Sequence, residues 1–213
     1  MSDLKNRFLY PYFPTIVVDD FYEDPDLWRD FALSQTFFKG DRGSWPGIRT
    51  ELLHQIDIDL FNVTMRNLLF VLKQYGVTRV SNIETGFQLI DETYGRGWVH
   101  DDDPSFQVAG VIYLNEDAPL GTGTSLYEDC DDFDSEKYTK LFSEDVVTAT
   151  AEERINYSKY RNEQVSKFTQ TIEVGNVYNR CIMFDSRHWH SADNFFGTSA
   201  EDTRLTQVFF IKI

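Results

Sequence analysis

The sequence predicts a mainly β protein of the α+β class whose helices are gathered in its N-terminal part. Two observations carry that reading. A long segment with helical spacing of apolar residues ends at Gly76, and beyond it the chain breaks into short aromatic and β-branched runs. Among these runs, "WVHDDDPSFQVAGVIYLN", residues 98–115, sets a histidine and three aspartates directly ahead of an apolar strand.

In chain order, "TIVVDDF" (15–21) reads as a strand, and the following segment as a helix with Asp24 as N-cap and Pro25 at its first position. Residues 38–50 combine Gly, Pro and charge and read as a loop. In "DIDLFNVTMRNLLFVLKQYG" (57–76), Leu60, Phe61, Met65, Leu68, Leu69 and Leu72 recur at helical spacing, and Gly76 stands where a C-terminal cap belongs. The runs "GFQLID", "VAGVIYLN", "TSLYE", "TIEVGNVY", "CIMF" and "RLTQVFFIKI" predict the sheet. Residues 128–172 read as an insertion between two core strands, acidic at its start and helical from the capping pair Thr150 and Glu153. With no internal repeat and no linker, residues 1–213 are expected to form one domain, with 1–80 supporting a β core in 81–213.

Composition narrows the function. With 213 residues, 41% hydrophobic and 15% aromatic, the chain is expected to fold around a sizeable core. A net charge of -15 argues against a nucleic-acid partner, which calls for clustered Lys and Arg. The first residues lack the apolar region of a signal peptide and no run is long enough to span a bilayer, so a cytoplasmic protein without a membrane partner is expected. Cys130 and Cys181 are too few and too far apart for a CxxC metal site or a disulfide framework, and are expected to be free thiols.

On an extended segment, His100 and Asp102 point to one side, because side-chain direction alternates with period two. The same rule favours Asp102 over its neighbours Asp101 and Asp103. With 35 acidic residues in the chain the pair alone is weak, and a solvated turn closed by Pro104 explains it as well. Two further segments change the balance: "FDSRHWHSADNFFG" carries His188 and His190, and "RLTQVFF" places Arg204 in an otherwise apolar terminal strand. Taken singly, these have bland explanations as polar strand ends and a strand-edge salt bridge. Two histidines and a carboxylate on one face of a metal leave positions open for an oxo-acid and dioxygen, as in non-haem Fe(II) oxygenases. The remote carboxylate of a keto-diacid then suits Arg204, whose planar fork binds carboxylates bidentately, with the Thr206 hydroxyl two residues on along the same strand face.

At these residues the chain resembles the 2-oxoglutarate and Fe(II)-dependent dioxygenase superfamily, in particular its prolyl 4-hydroxylase-like branch. The family motif is His-x-Asp, a distal His, and an Arg followed two residues later by Ser or Thr. His100 and Asp102, His190 in "WHSAD", and Arg204 with Thr206 match it, and "YGRGWVHDD" is similar to the family's lead-in, with Gly95 and Gly97 as its glycines. The resemblance covers roughly residues 83–213. It implies a double-stranded β-helix (jelly roll) core with N-terminal buttressing helices, Fe(II), 2-oxoglutarate as co-substrate and O2. The implied activity is hydroxylation of a C–H bond in a peptide or protein side chain, proline-type, or in a small molecule, with release of succinate and CO2.

His188 and His190 face the same way, so either could be the distal ligand; Ser191 and Ala192 favour His190 and leave His188 for a supporting or substrate-facing place. Tyr94, Gln88 and Tyr113 are candidates for the chelating end of the co-substrate, and Trp98, Trp189, Phe195 and Phe196 for excluding water, the two Phe more simply as core. The insertion is a candidate lid, and its acidic start favours a cationic or neutral substrate. Two other classes stay open: a non-catalytic jelly-roll binding module, and a zinc-dependent hydrolase that would need no co-substrate arginine. Oligomeric state is not encoded in any of these signals.

Overall fold

A computed structural model describes residues 12–39, 45–128, 130 and 151–213. The acidic run 131–138, the Thr150 cap and the first eleven residues, on which part of the sequence reading rests, lie outside the described residues.

Strand β1 (Ile16–Val18) is followed by helix α1 (Pro25–Leu33), which opens as expected: the Asp24 carboxylate accepts from the Leu27 N–H and Pro25 occupies the first turn. Two short strands, β2 (Phe38–Lys39) and β3 (Ile48–Arg49), come next, then helices α2 (Leu53–Ile56) and α3 (Ile58–Gln74). At the end of α3, Gly76 takes φ +84°, its N–H donates to Lys73 O, and the Val77 N–H donates to Leu72 O. This is the Schellman closure that a glycine at that place permits. Strands β4 (Asn82–Ile90), β5 (Val108–Tyr113) and β6 (Thr124–Tyr127) follow. Helix α4 (Ala151–Val165) then leads to β7 (Gln170–Val174), β8 (Cys181–Asp185), β9 (Trp189–Ala192) and β10 (Arg204–Lys212).

The strands form two sheets, a seven-stranded one in the order β1-β8-β5-β10-β4-β3-β2 and a three-stranded one in the order β7-β6-β9. Every pairing is antiparallel. On β10, Leu205, Phe209 and Ile211 join the core beneath α1–α3, whereas Phe210 packs with Ala109, Ile182 and Phe184 of the large sheet and Leu126 and Val174 of the small one. Period-two alternation along β10 therefore buries one face against the helices and turns the other, which carries Arg204 and Thr206, toward the space between the sheets.

Two differences from the sequence reading have local causes. The strand expected over 15–21 stops at Val18, because Asp19 turns out to pair with Arg180 (2.5 and 2.9 Å) and Asp20 takes φ +53°. The segment read as a loop over 38–50 holds β2 and β3, whose two-residue ladders exist because β4 offers Ile48 and Arg49 the partners Leu89 and Gln88. Cys130 and Cys181 are not joined in a disulfide, and burial pushes the Cys181 pKa up, so Cys181 packs as a small apolar residue. Among the described residues no helix is long and apolar enough to cross a membrane.

A polar knot ties helices to sheet inside the apolar core. The Tyr22 hydroxyl donates to Gln207 Oε1 (2.7 Å) and lies 3.0 Å from Thr64 Oγ1, and Gln207 Nε2 donates to Thr64 and Thr85. The Tyr22 ring stacks on Trp28 at 4.0 Å between centroids. Replacing Tyr22 by Phe keeps the stack but leaves the Gln207 carbonyl without its donor, so a loss of about 1–3 kcal/mol is expected in urea denaturation. An unchanged midpoint would show that this knot adds nothing to the packing.

Candidate metal centre and its cavity

The site begins with a pair of backbone hydrogen bonds between distant segments. His100 N–H donates to His190 O (2.9 Å) and His190 N–H donates to His100 O (2.8 Å), so residues 98–100 lie as an extra antiparallel edge beside β9. Gly97 makes that approach possible: its N–H donates to Ala192 O, and a Cβ there would sit 2.6 Å from that same oxygen. On the other side, Gln164 of α4 grips Val99 at both backbone groups, accepting from its N–H at 2.8 Å and donating to its carbonyl at 2.6 Å. Arg161, one turn earlier, donates to Tyr94 O and lies over the Trp98 ring.

Within this frame, His100, Asp102 and His190 present ligand-type atoms that all lie within 4.8 Å of one another. His100 Nε2 is 3.7 Å from Asp102 Oδ1, and His190 Nε2 is 3.4 Å from Asp102 Oδ2. Each Nδ1 faces a backbone carbonyl, Trp98 O at 3.0 Å and His188 O at 2.8 Å. A carbonyl only accepts, so Nδ1 carries the proton and the Nε2 lone pair turns toward Asp102. Backbone partners of this kind commonly orient metal-ligating histidines. Burial pulls the His190 pKa down to about 4 against the opposing effect of Asp102, so the ring is neutral near pH 7. Two imidazole lone pairs and a carboxylate on one side of a small space fit a divalent metal with open positions.

The three groups open into a cavity of about 430 Å³ that is also lined by Trp98, Gln88, Phe195 and Arg204. Arg204 is only 2% exposed. Its Nε–H donates to Thr122 O (3.2 Å), and its guanidinium lies 5.6 and 5.8 Å from the centroids of the Tyr113 and Phe195 rings. Burial lowers its pKa, with Tyr113 and Asp193 opposing. Among the described residues no carboxylate stands within ion-pair distance of it, and the buried Thr206 Oγ1 has no hydrogen-bond partner. A buried cation and an orphaned hydroxyl on one strand face are the complement of an anionic ligand.

The other expected residues fall in different places. Gln88 is buried on the cavity wall and donates to Pro46 O, and the Tyr113 hydroxyl donates to Thr124 Oγ1 beneath Arg204. Tyr94 packs with Ile90, Tyr157 and Phe195 and is not on the cavity wall. His188 stands apart from the cluster, 5.4 Å from the Tyr12 ring, with its Nδ1 buried and unpartnered. Asp103 closes a turn by accepting from the Ser105 N–H. Phe195 both lines the cavity and belongs to a core cluster, whereas Trp189 packs on Phe168.

The sequence reading missed Gln164, Arg161 and Arg49. All three are polar residues in segments without apolar periodicity, and only the tertiary arrangement brings them to the site. Arg49 had one visible mark, a basic residue amid Trp, Pro and Gly, which a loop explains equally well.

Comparison with known proteins adds three findings. The family model described as "Family of unknown function (DUF6445)" matches residues 11–211. No curated protein matches the chain. Among solved structures, it is similar to a prolyl hydroxylase from Trichoplax adhaerens in complex with a hypoxia inducible factor peptide fragment. That similarity has 10% identity and a TM-score of 0.55, over 93% of this chain and 83% of that one. A prolyl-4-hydroxylase from Pseudomonas putida gives 15% identity over 93% and 91% of the two chains, with a TM-score of 0.52. HygX from Streptomyces hygroscopicus, with nickel, 2-oxoglutarate and hygromycin B bound, gives 10% over 92% and 82%, with a TM-score of 0.58. At these identities the likeness establishes a common β-rich fold.

The buried His190 makes the metal-free chain pH-sensitive. Unfolded histidine titrates near 6.5 and folded His190 near about 4, so the unfolded chain binds more protons between those values. Stability is expected to fall as pH is lowered from about 6.5 toward 4 and this contribution to level off below, with a smaller fall in His190→Asn. Equal pH dependence of the two urea midpoints would contradict the assigned burial.

Proposed function

The chain belongs to the DUF6445 family, and we propose that it is a 2-oxoglutarate- and Fe(II)-dependent dioxygenase on a double-stranded β-helix, formed by the chain as one domain. The path of the chain supports the architecture. From β4 on, the chain crosses between the sheets at every step except β6 to β7, which pair within the small one: β4, β5, β8 and β10 lie in the large sheet, and the 98–100 edge, β6, β7 and β9 on the small one.

One observation carries the activity. A His-Asp-His cluster and a buried arginine lacking a carboxylate partner among the described residues face the same cavity. In this reading His100, Asp102 and His190 hold Fe(II), which when bound supplies the chelation site for the oxo-acid and the means of activating O2. Arg204 and Thr206 take the remote carboxylate of 2-oxoglutarate, and Gln88 and Tyr113 shape the walls beside it. Tyr94, packed elsewhere, receives no co-substrate contact. Apolar side chains such as Phe184, Phe210 and Val111 exclude water from the reacting carbon. The balance is one C–H bond, O2 and 2-oxoglutarate converted to C–OH, succinate and CO2. The substrate is a small molecule or a peptide side chain, with proline-type hydroxylation as the specific candidate.

Anaerobic calorimetry of Fe(II)-loaded protein with 2-oxoglutarate tests the role of Arg204. Removing a buried charge partner costs about 2–5 kcal/mol, so Arg204→Leu is expected to bind 2-oxoglutarate at least about 30-fold more weakly. Undiminished affinity, or a metal-dependent hydrolysis that survives the substitution, would sink the oxygenase reading in favour of a hydrolase.

A further inference from the structure

The cavity contains a second arginine that the proposed reaction does not use. Arg49 lies on β3, opposite Gln88 of β4, in the cross-sheet row that continues through Thr206 of β10 to Tyr113 of β5. Its guanidinium lies over the Trp45 ring, 4.7 Å from the centroid, within cation–π range. Among the described residues, Arg49 Nε and Trp45 Nε1 are both buried donors with no hydrogen-bond partner. Such donors are costly unless a ligand satisfies them.

Position separates Arg49 from Arg204. Arg204 sits on β10 within the large sheet and is almost fully buried, whereas Arg49 sits on β3 near the sheet's edge. Arg49 and Trp45 line both the metal cavity and an adjoining hollow of about 630 Å³ that reaches Phe38 and Lys39. Arg49 therefore stands where the metal cavity meets the hollow. Charge accounting points the same way. Under the function proposed above, on which this inference rests, Fe(II), the Asp102 carboxylate, dianionic 2-oxoglutarate and Arg204 sum to zero. The charge on Arg49 takes no part in that sum. Among the described residues no carboxylate lies within ion-pair distance of the Arg49 guanidinium; on the same cavity wall Glu84 accepts from Asn82, and Asp103 from Ser105.

We propose that Arg49 and Trp45 form a substrate subsite for a carboxylate, so that the molecule hydroxylated carries a carboxylate near the carbon presented to the metal. The guanidinium Nε–H and the indole N–H donate to its oxygens, and the Trp45 ring supports the cation from behind. Glu84, Asp101 and Asp103 on the same wall would repel a phosphate dianion, which favours a singly charged group. This subsite opposes the preference for cationic or neutral substrates that the acidic run suggested.

The test uses the intact chain loaded anaerobically with Fe(II) and 2-oxoglutarate and titrated calorimetrically with N-acetylproline, N-acetylglycine, their amides and inorganic phosphate. At least one acid is expected to bind about tenfold or more tightly than its amide and than phosphate. Arg49→Gln should erase that preference, and Arg49→Lys should restore part of it, since lysine keeps the charge but loses the planar fork. The 2-oxoglutarate affinity of Arg49→Gln should stay within about twofold of wild type, which also reports that the variant folds. Absence of any acid preference in wild type, a preference for phosphate, or a preference unchanged in Arg49→Gln would overturn the subsite. Loss of 2-oxoglutarate binding in Arg49→Gln but not in Arg204→Leu would make Arg49 the co-substrate residue and overturn it too. Failure of wild type to bind 2-oxoglutarate at all would instead strike the function on which the subsite rests.

Discussion

Everything at the site depends on the reciprocal backbone bridge between His100 and His190. These residues are ninety positions apart in sequence, and the two hydrogen bonds bring them side by side. The bridge places their rings 4.4 Å apart between centroids, and the Nδ1 contacts with carbonyls two residues back set the direction of each Nε2. Such a bridge needs a flat, close approach of two backbones, which Gly97 allows. It also needs the outer edge of residues 98–100 to be satisfied, which the Gln164 carboxamide does. The insertion helix is thus a structural wall of the site at the described residues, whatever else the segment before it does.

The two arginines of the cavity divide the work by their surroundings. Arg204 is enclosed among rings and carbonyls, where a bound carboxylate would be shielded from water and strongly held. Arg49, near the sheet edge, is pulled down to a pKa of about 10 by burial against the opposing effect of Asp102, and so stays charged near neutral pH.

Much of this was legible in the sequence where one residue type has one strong reason to stand where it does. Asp24, Pro25 and Gly76 marked helix ends because capping chemistry is local. His100, Asp102 and Arg204 were visible because charged residues ahead of or within apolar strands demand an explanation. The choice between His188 and His190 was only weakly legible: both lie on the same face by period two, the small residues Ser191 and Ala192 favoured His190, and the pairing with residue 100 is what brings His190 into the cluster. Strands β2 and β3 were hidden for a similar reason, since two-residue ladders draw their stability from the strand they join and carry no periodicity of their own. Arg49, Arg161 and Gln164 belong with them. Arg161 and Gln164 meet Tyr94, Trp98 and Val99 from far along the chain, and Arg49 reaches the cavity by pairing with Gln88 of another strand, which neither composition nor spacing records.

The measurement that bears most directly on the account is visible absorption of the anaerobic protein during addition of Fe(II) and then 2-oxoglutarate, for wild type and His100→Ala. Chelation of the oxo-acid by Fe(II) gives a weak charge-transfer band. The band should develop only with both additions, saturate at one equivalent of each, and be lost in the variant. A folded wild-type protein that gives no band, or a band that His100→Ala leaves intact, would contradict the assignment of this cluster as the iron centre.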